Sequence, residues 1–182
     1  QEVVQWLNVG VPSRLPPGRY SLEVGVYDED GVVRQALADP SGAALGSSLS
    51  LGPFVVPPAD LGRAGSVPPE ARFGDGIELL AYSVSAGAGQ LAVQATWAAE
   101  AQPSKDYTVF VHVLDGAGKV VSQVDTQPRG GDFPTSVWRA GDAIPDRYVV
   151  RAPPGQYTLE FGLYEVATSQ RLGQPLTEPV TL

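Results

Sequence analysis

The stretch "PPGRYSLEVGVY", Pro16 to Tyr27, returns 137 positions later as "PPGQYTLEFGLY", Pro153 to Tyr164. Eight of the twelve positions are identical. After each glycine, apolar and polar residues alternate, so every second side chain points to the same side of an extended chain. One apolar and one polar face are typical of a half-buried strand in an antiparallel sheet. The repeat therefore predicts an all-β protein that uses the same strand in two related units.

The alternation also predicts which side chains face the interior and which residue begins the strand. The tyrosine behind each Pro-Pro-Gly turn resembles the tyrosine corner of immunoglobulin-like sandwiches, in which the hydroxyl bonds to backbone a few residues upstream. The alternative is a tyrosine that packs at the rim of a sheet. The inward-facing residues are predicted to be Tyr20, Leu22, Val24 and Val26 in the first copy, and Tyr157, Leu159, Phe161 and Leu163 in the second.

A full set of strands accompanies the second copy. The turn "DGAGK" from Asp115 predicts a hairpin. Together with the repeated strand, the other segments predict a complete seven-stranded immunoglobulin- or fibronectin-like antiparallel sandwich over residues 73–182. These segments begin at Ile77, Gln90, Tyr107, Val120, Arg147 and Leu176.

Residues 1–58 match only the C-terminal half of such a unit, and the proline-containing segment 59–72 is interpreted as a semi-rigid linker. A half-sandwich on its own exposes a sheet face and a strand edge. We therefore expect residues 1–58 to pack onto residues 73–182 or to pair with another chain.

Composition excludes several function classes. The net charge is −8 and the chain has no basic stripe, which argues against nucleic acid and anionic membrane as partners. The sequence has no cysteine, so disulfides, thiol catalysis and cysteine-bound zinc are excluded. No apolar run reaches the length of a membrane span. Because the sequence opens on Gln1 and contains no methionine, we expect an interior or C-terminal part of a longer protein.

The segment from Tyr107 to Leu172 resembles a known bacterial module. The resemblance rests on "FVHVLD", on "PTSVW" with a following "GD", and on "PPGQYTLEFGLY" with its trailing "RL". These elements are similar to the extracytoplasmic C-terminal β-sandwich of multi-spanning membrane proteins related to dolichyl-phosphate-mannose-type glycosyltransferases. The resemblance covers residues 73–182, and residues 1–58 only through the repeated strand. It implies a cell-surface location, with the membrane reached through other parts of the full-length protein.

The sequence offers few residues for catalysis. His112 is the single histidine and shares a strand face with Phe110 and Leu114, so we expect a hydrogen-bonded histidine in the core or at its rim. Without a cysteine or a second histidine, neither a zinc site nor a Cys–His pair can form. Ser136 lacks the Gly-x-Ser-x-Gly surroundings of an activated serine. We therefore predict that the chain is not an enzyme and holds no cofactor or metal.

Acidic residues raise the question of calcium. Asp28, Glu29 and Asp30 resemble a fragment of a calcium loop, but the later carboxylates are missing, so a solvated turn is predicted. Whether other loop aspartates converge at one end of the sandwich and bind calcium is left open. These are Asp115, Asp125, Asp132, Asp142 and Asp146.

The long connection "GGDFPTSVWRAGDAIPD" from Gly130 holds the best candidates for ligand binding, namely Phe133, Trp138, Arg139 and Asp142. A flat aromatic ring beside charged groups is suited to stacking on a sugar. The alternative is that Trp138 folds back and caps the core. Tyr27 and Tyr164 are weaker surface candidates.

Two functional hypotheses follow. The first is a non-catalytic extracytoplasmic accessory domain that acts as a spacer or interaction module of a larger membrane protein. The second is a carbohydrate-binding module that uses Trp138. Their partners are another extracytoplasmic protein and a glycan, respectively, and the exposure of Trp138 distinguishes them.

Overall fold

The computed structural model describes residues 6–31 and 33–182, which are almost entirely β-strand and turn. Within these residues the helical segments are two 3₁₀ turns, Pro128–Gly131 and Thr135–Val137. All strand pairings are antiparallel, and the all-β class predicted from the repeat is confirmed. The strands are β1 Gly18–Val24, β2 Leu37–Ala38, β3 Ala44–Gly46, β4 Leu49–Val56, β5 Gly62–Arg63, β6 Ala71–Arg72, β7 Ile77–Gly87, β8 Gln90–Ala99, β9 Thr108–Leu114, β10 Val120–Thr126, β11 Asp142–Arg151, β12 Gln156–Glu165, β13 Gln170–Arg171 and β14 Leu176–Thr181.

Two five-stranded sheets form the sandwich. One has the order β5-β11-β8-β7-β6, and the other is β10-β9-β12, with β13 and β14 on the far side of β12. The seven long strands of residues 73–182 pair β7 with β8, β8 with β11, β9 with β12 and β12 with β14. An immunoglobulin-like sandwich has the same four pairings, whereas β10 lies beside β9 instead of joining the other sheet. The strand order is compatible with the immunoglobulin- or fibronectin-like prediction, which stays a prediction.

The core lies between the inner faces of these sheets. Trp97 stacks at a tilt on Phe73, and Tyr82 meets Phe161 edge-on across the sandwich. The inward positions predicted for Leu159, Phe161 and Leu163 are confirmed, because all three are buried. The core includes Phe73, Ile77, Leu79, Leu91, Val93, Trp97, Val109, Val111, Val113, Phe133, Trp138, Ile144, Leu159, Phe161 and Leu163.

The hairpin predicted at "DGAGK" is present between β9 and β10. The carboxylate Oδ1 of Asp115 accepts hydrogen bonds from the backbone N–H groups of Ala117 and Lys119, both at 2.9 Å. The backbone N–H of Asp115 also donates to the carbonyl of Lys119 at 2.9 Å. Asp115 therefore organises its own turn.

The linker interpretation of residues 59–72 needs correction. Strand β5 pairs with Asp142 and Ala143 of β11, and β6 pairs with Glu78 and Leu79 of β7. Both short strands satisfy backbone groups that the outer edges of the sheet would otherwise leave unpaired. The segment belongs to the sandwich rather than to a spacer in front of it.

The N-terminal part forms two small ribbons, β1 with β4 and β2 with β3. The β1–β4 ribbon touches the sandwich at one end, where Arg19 Nη1 lies 3.0 Å from Asp106 Oδ2 and Val55 packs against the core. The expected packing of residues 1–58 on the sandwich is thus limited to this end, for the residues that the structure describes. In that part of the chain, no helix is long and apolar enough to span a bilayer.

Candidate interaction surface

The two copies of the repeated strand have the same local geometry. Tyr20 Oη donates to the carbonyl of Pro16 at 2.7 Å, and Tyr157 Oη donates to the carbonyl of Pro153 at 3.0 Å. The hydroxyl-to-backbone hydrogen bond predicted for a tyrosine corner is therefore present in both copies.

The likeness continues beyond the quoted repeat. An arginine lies opposite the last tyrosine of each copy, Arg34 beside Tyr27 and Arg171 beside Tyr164. Arg34 Nε donates to Tyr27 Oη at 2.9 Å, and its guanidinium carbon lies 5.5 Å from the centre of the Tyr27 ring. The sequence analysis missed Arg34, although both arginines follow their tyrosine by seven positions, which was the available signal.

A carboxylate accompanies each arginine. Arg171 donates two hydrogen bonds of 2.8 Å to the carboxylate of Glu160. Glu23 is the counterpart of Glu160 in the first copy. The hydrogen bond to Tyr27 is the main cause that raises the pKa of Arg34, and the charge of Glu23 adds to it. Both copies thus have a glutamate and an arginine close together on the outer face of the strand.

The inner faces of the two copies differ. Leu159 and Phe161 of β12 are 0% and 1% exposed beneath the opposite sheet. Their counterparts Leu22 and Val24 lie directly opposite Leu51 and Leu49 of β4, so these four side chains share one face of a two-stranded ribbon. Leu51 is 42% exposed and Phe54, opposite Tyr20, is 55% exposed. We call Leu22, Val24, Leu49, Leu51 and Phe54 the open face.

The burial predicted for Val24 and Val26 is therefore wrong, since both are exposed. The physical reason is that no second sheet covers this ribbon in the described part of the chain. The edge of β1 is uncovered as well. Among residues 6–31 and 33–182, β1 pairs with β4 alone, whereas β12 is flanked by β9 on one side and by β13 and β14 on the other.

The rings predicted to stack on a sugar are buried. Trp138 is 0% and Phe133 1% exposed, and Trp138 Nε1 donates to the carbonyl of Phe133 at 2.9 Å. The nearby 3₁₀ turn is held to the sandwich by Thr135, whose hydroxyl donates to the carbonyl of Lys105 at 2.6 Å. Stacking by these two rings was the wrong alternative, and Trp138 caps the core instead.

Asp142 and Arg139 do not form a ligand site. The Asp142 side chain is buried, accepts a 3.0 Å hydrogen bond from Arg63 Nη1, and accepts a 2.8 Å bond from the backbone N–H of Arg139. The side chain of Arg139 is on the surface. Asp142 therefore fastens β5 and the preceding turn to β11.

His112 is a partly buried rim residue, as expected. Its Nε2 lies 3.1 Å from Asp125 Oδ1, and its Nδ1 lies 3.9 Å from Glu160 Oε2. Tyr164 Oη donates to the other oxygen of Asp125 at 3.3 Å. Asp125 thus links His112 and Tyr164 on the outer face of β9, β10 and β12, whereas Nδ1 of His112 is buried without a hydrogen-bond partner among the described residues.

The loop aspartates do not converge. Asp115 closes its hairpin, whereas Asp146 accepts from the backbone N–H of Arg129 and from Tyr148 Oη. Among residues 6–31 and 33–182, no three histidine or acidic side chains are grouped as ligands for a metal ion. No described cluster therefore supports the calcium hypothesis.

A groove of about 620 Å³ lies on the outer face of β7, β8 and β11. Gln94, Thr96 and Arg147 line it, and Arg129 forms two 3.0 Å hydrogen bonds with Asp60 at its side. The groove is shallow, and Tyr82, the aromatic residue that lines it, is partly buried with its ring edge-on against Phe161. The apolar open face is the more distinctive surface.

Neither a family model nor a curated protein matches the sequence. The surface is therefore interpreted from its own chemistry.

Proposed function

We propose that this chain is a non-catalytic extracytoplasmic β-sandwich module that acts as an interaction domain of a larger membrane protein. The observation that carries the proposal is the open face, an apolar sheet surface beside a sandwich that already has its own core. The resemblance to modules of glycosyltransferase-like membrane proteins supports the cell-surface location.

The exposed area of the open face favours binding over a purely spacing role. Full burial of a valine, leucine or phenylalanine side chain stabilises a protein by about 1.5–3 kcal/mol. The exposed fractions of Val24, Leu49, Leu51 and Phe54 lie between 36% and 55%, so a partner that covers these side chains gains about half of such a contribution from each. A contiguous apolar patch next to an unpaired strand edge is typical of an interaction site.

The polar side chains support a binding role over a catalytic one. The single histidine contacts Asp125, and Asp142 and Asp146 accept hydrogen bonds that fix turns of the sandwich. Ser136 is held by its backbone, which donates to Asp106 and accepts from Gln102. These contacts are structural.

The proposal is tested by introducing charge into the open face. We expect the double variant Val24→Lys/Leu51→Lys to lose most of the fluorescence of a bound hydrophobic dye and to reduce concentration-dependent association in sedimentation. The matched control, Ser21→Lys/Ser50→Lys, adds the same charge at exposed polar positions of the same two strands. Equal dye binding and equal association in both variants and the wild type would remove the interaction role.

A further inference from the structure

We infer that the open face and the free edge of β1 accept a β-strand from a partner polypeptide, which pairs antiparallel with residues 21–27 and places an aromatic residue opposite Gly25. The inference rests on the proposed interaction role and names the chemistry of the partner. It is derived from the second copy of the repeat, where the corresponding strand is present.

In the second copy, β9 occupies the equivalent edge of β12. Gly162 faces Phe110, Phe161 faces Val111, and Glu160 faces His112. The corresponding residues of the first copy are Gly25, Val24 and Glu23. A partner strand in the same register therefore places an aromatic residue opposite Gly25, an apolar residue opposite Val24 and a polar residue opposite Glu23. The apolar residue extends the open face, and the other two lie on the outer face.

The packing around Gly162 in the second copy indicates that the partner residue opposite Gly25 is aromatic. A Cβ added to Gly162 would lie 3.1 Å from the ring of Phe110. The ring can pack there because glycine has no side chain. The guanidinium of Arg171 covers the other side of the Phe110 ring at 4.7 Å, a favourable cation–π distance. The first copy retains the matching glycine and arginine, although the backbone carbonyl of Ser47 also limits the space at Gly25.

The charge pattern defines the neighbouring residue. Glu160 lies between Arg171 and His112, which faces it across the strand pair. Glu23 is exposed and has the charge of Arg34 near it, but no cross-strand residue faces it on the β1 edge in the described part of the chain. A hydrogen-bond donor or a basic side chain at this position of the partner complements Glu23.

A strand fits this surface better than a lipid does. The edge of β1 presents backbone N–H and C=O groups beside the apolar side chains, and hydrocarbon cannot satisfy such groups. Addition of a strand supplies the missing backbone hydrogen bonds, while its alternate side chains cover the apolar face.

The chain itself supplies the probe. A synthetic peptide with the β9 sequence "YTVFVHVLDG", residues 107–116, fluorescently labelled and given a lysine tail for solubility, is titrated against the full chain. We expect saturable binding and amide chemical-shift changes along residues 18–27. The same peptide with Phe110→Ala should bind about tenfold more weakly, because it loses the packing of the aromatic ring and the apolar area that the ring buries.

Register is tested by cross-linking, because the chain has no cysteine of its own. The Val24→Cys variant should form a disulfide with a peptide that carries Val111→Cys, whose position faces β1 residue 24 in the inferred register. A peptide with His112→Cys, one position away and on the opposite face, keeps Phe110; it is the matched control and should react much more slowly.

The outcomes separate this inference from the proposed function. Absence of peptide binding, or equal cross-linking by both peptides, overturns the strand inference. If the charged open-face variant still loses dye binding in that case, the interaction role stands without it. If dye binding is also unchanged, both the strand inference and the interaction role are overturned.

Discussion

Tyr157 and Tyr20 make the same hydrogen bond in two different settings, one in a closed sandwich and one in an open ribbon. We predict that Tyr157→Phe lowers the free energy of unfolding of the sandwich by about 1 kcal/mol, the usual contribution of one hydrogen bond. Tyr20→Phe is the matched control and should leave that transition unchanged. Urea denaturation followed by tryptophan fluorescence measures both variants, and equal losses would contradict the separation of the two units.

Tyr148 connects Trp97 to Asp146 inside the sandwich. Its hydroxyl accepts from Trp97 Nε1 at 3.0 Å and donates to Asp146 Oδ2 at 2.6 Å. Burial, followed by the negative charge of Asp146, raises the pKa of Tyr148 well above 10.0. The folded state therefore keeps a proton that the unfolded state releases above about pH 10.

The sign of the pH dependence follows from this difference. The stability contributed by Tyr148 is complete below the pKa of the unfolded chain, and it is lost as the pH rises from there through the pKa of the folded state. We predict that the unfolding free energy falls as the pH rises above about 10 and that this fall is smaller in Tyr148→Phe. Identical slopes in the two proteins, measured by urea titration, would assign the fall to other tyrosines.

Strand β5 is short, and its attachment depends on a buried carboxylate. Replacement of Asp142 by alanine leaves the backbone N–H of Arg139 and the guanidinium of Arg63 without their acceptor. We predict that Asp142→Ala lowers the unfolding free energy by about 1–3 kcal/mol. The Arg63→Gln variant removes one largely exposed partner and should cost less than about 1 kcal/mol. A reversed order in thermal or urea melts would contradict this role of Asp142.

The long strands could be predicted from the sequence because their side chains alternate over many residues. Strand β8, for example, has Leu91, Val93, Ala95 and Trp97 buried in turn, as a period of two requires. The hairpin at Asp115 was equally readable from its turn residues. Two-residue strands such as β5 and β6 have no period to detect, so their segment was mistaken for a linker.

The direction of Trp138 could not be read from the sequence. It follows from the 3₁₀ turn Thr135–Val137, which the hydrogen bonds of Thr135 with Lys105 and Tyr107 hold against a segment distant in the sequence. The exposure of Val24 and Val26 was missed for a different reason. The alternation of apolar and polar residues in the first copy predicted that these side chains are buried. Their burial requires a second sheet over the ribbon, which the described part of the chain does not provide.

The molecule as a whole combines a sandwich of two five-stranded sheets with two small two-stranded ribbons. The boundary between them lies before β5, because β5 and β6 are paired into the sandwich. We predict that limited proteolysis cuts first within residues 18–56 and leaves a resistant fragment that begins near Pro57. Mass spectrometry identifies the fragment, and a melt tests whether it keeps the sandwich transition. A fragment that begins near Phe73 and melts normally would favour the linker interpretation.

One strand sequence occupies two environments in the described part of the chain, covered by an opposite sheet in β12 and uncovered in β1. Amide hydrogen exchange of the free chain, followed by NMR, compares them residue by residue. We predict that the amides of Leu159–Leu163 exchange as slowly as those of the sandwich core. Those of Leu22–Val26 should exchange faster by orders of magnitude, since local opening of the ribbon costs much less than global unfolding. Equal protection of the two strands would contradict the account.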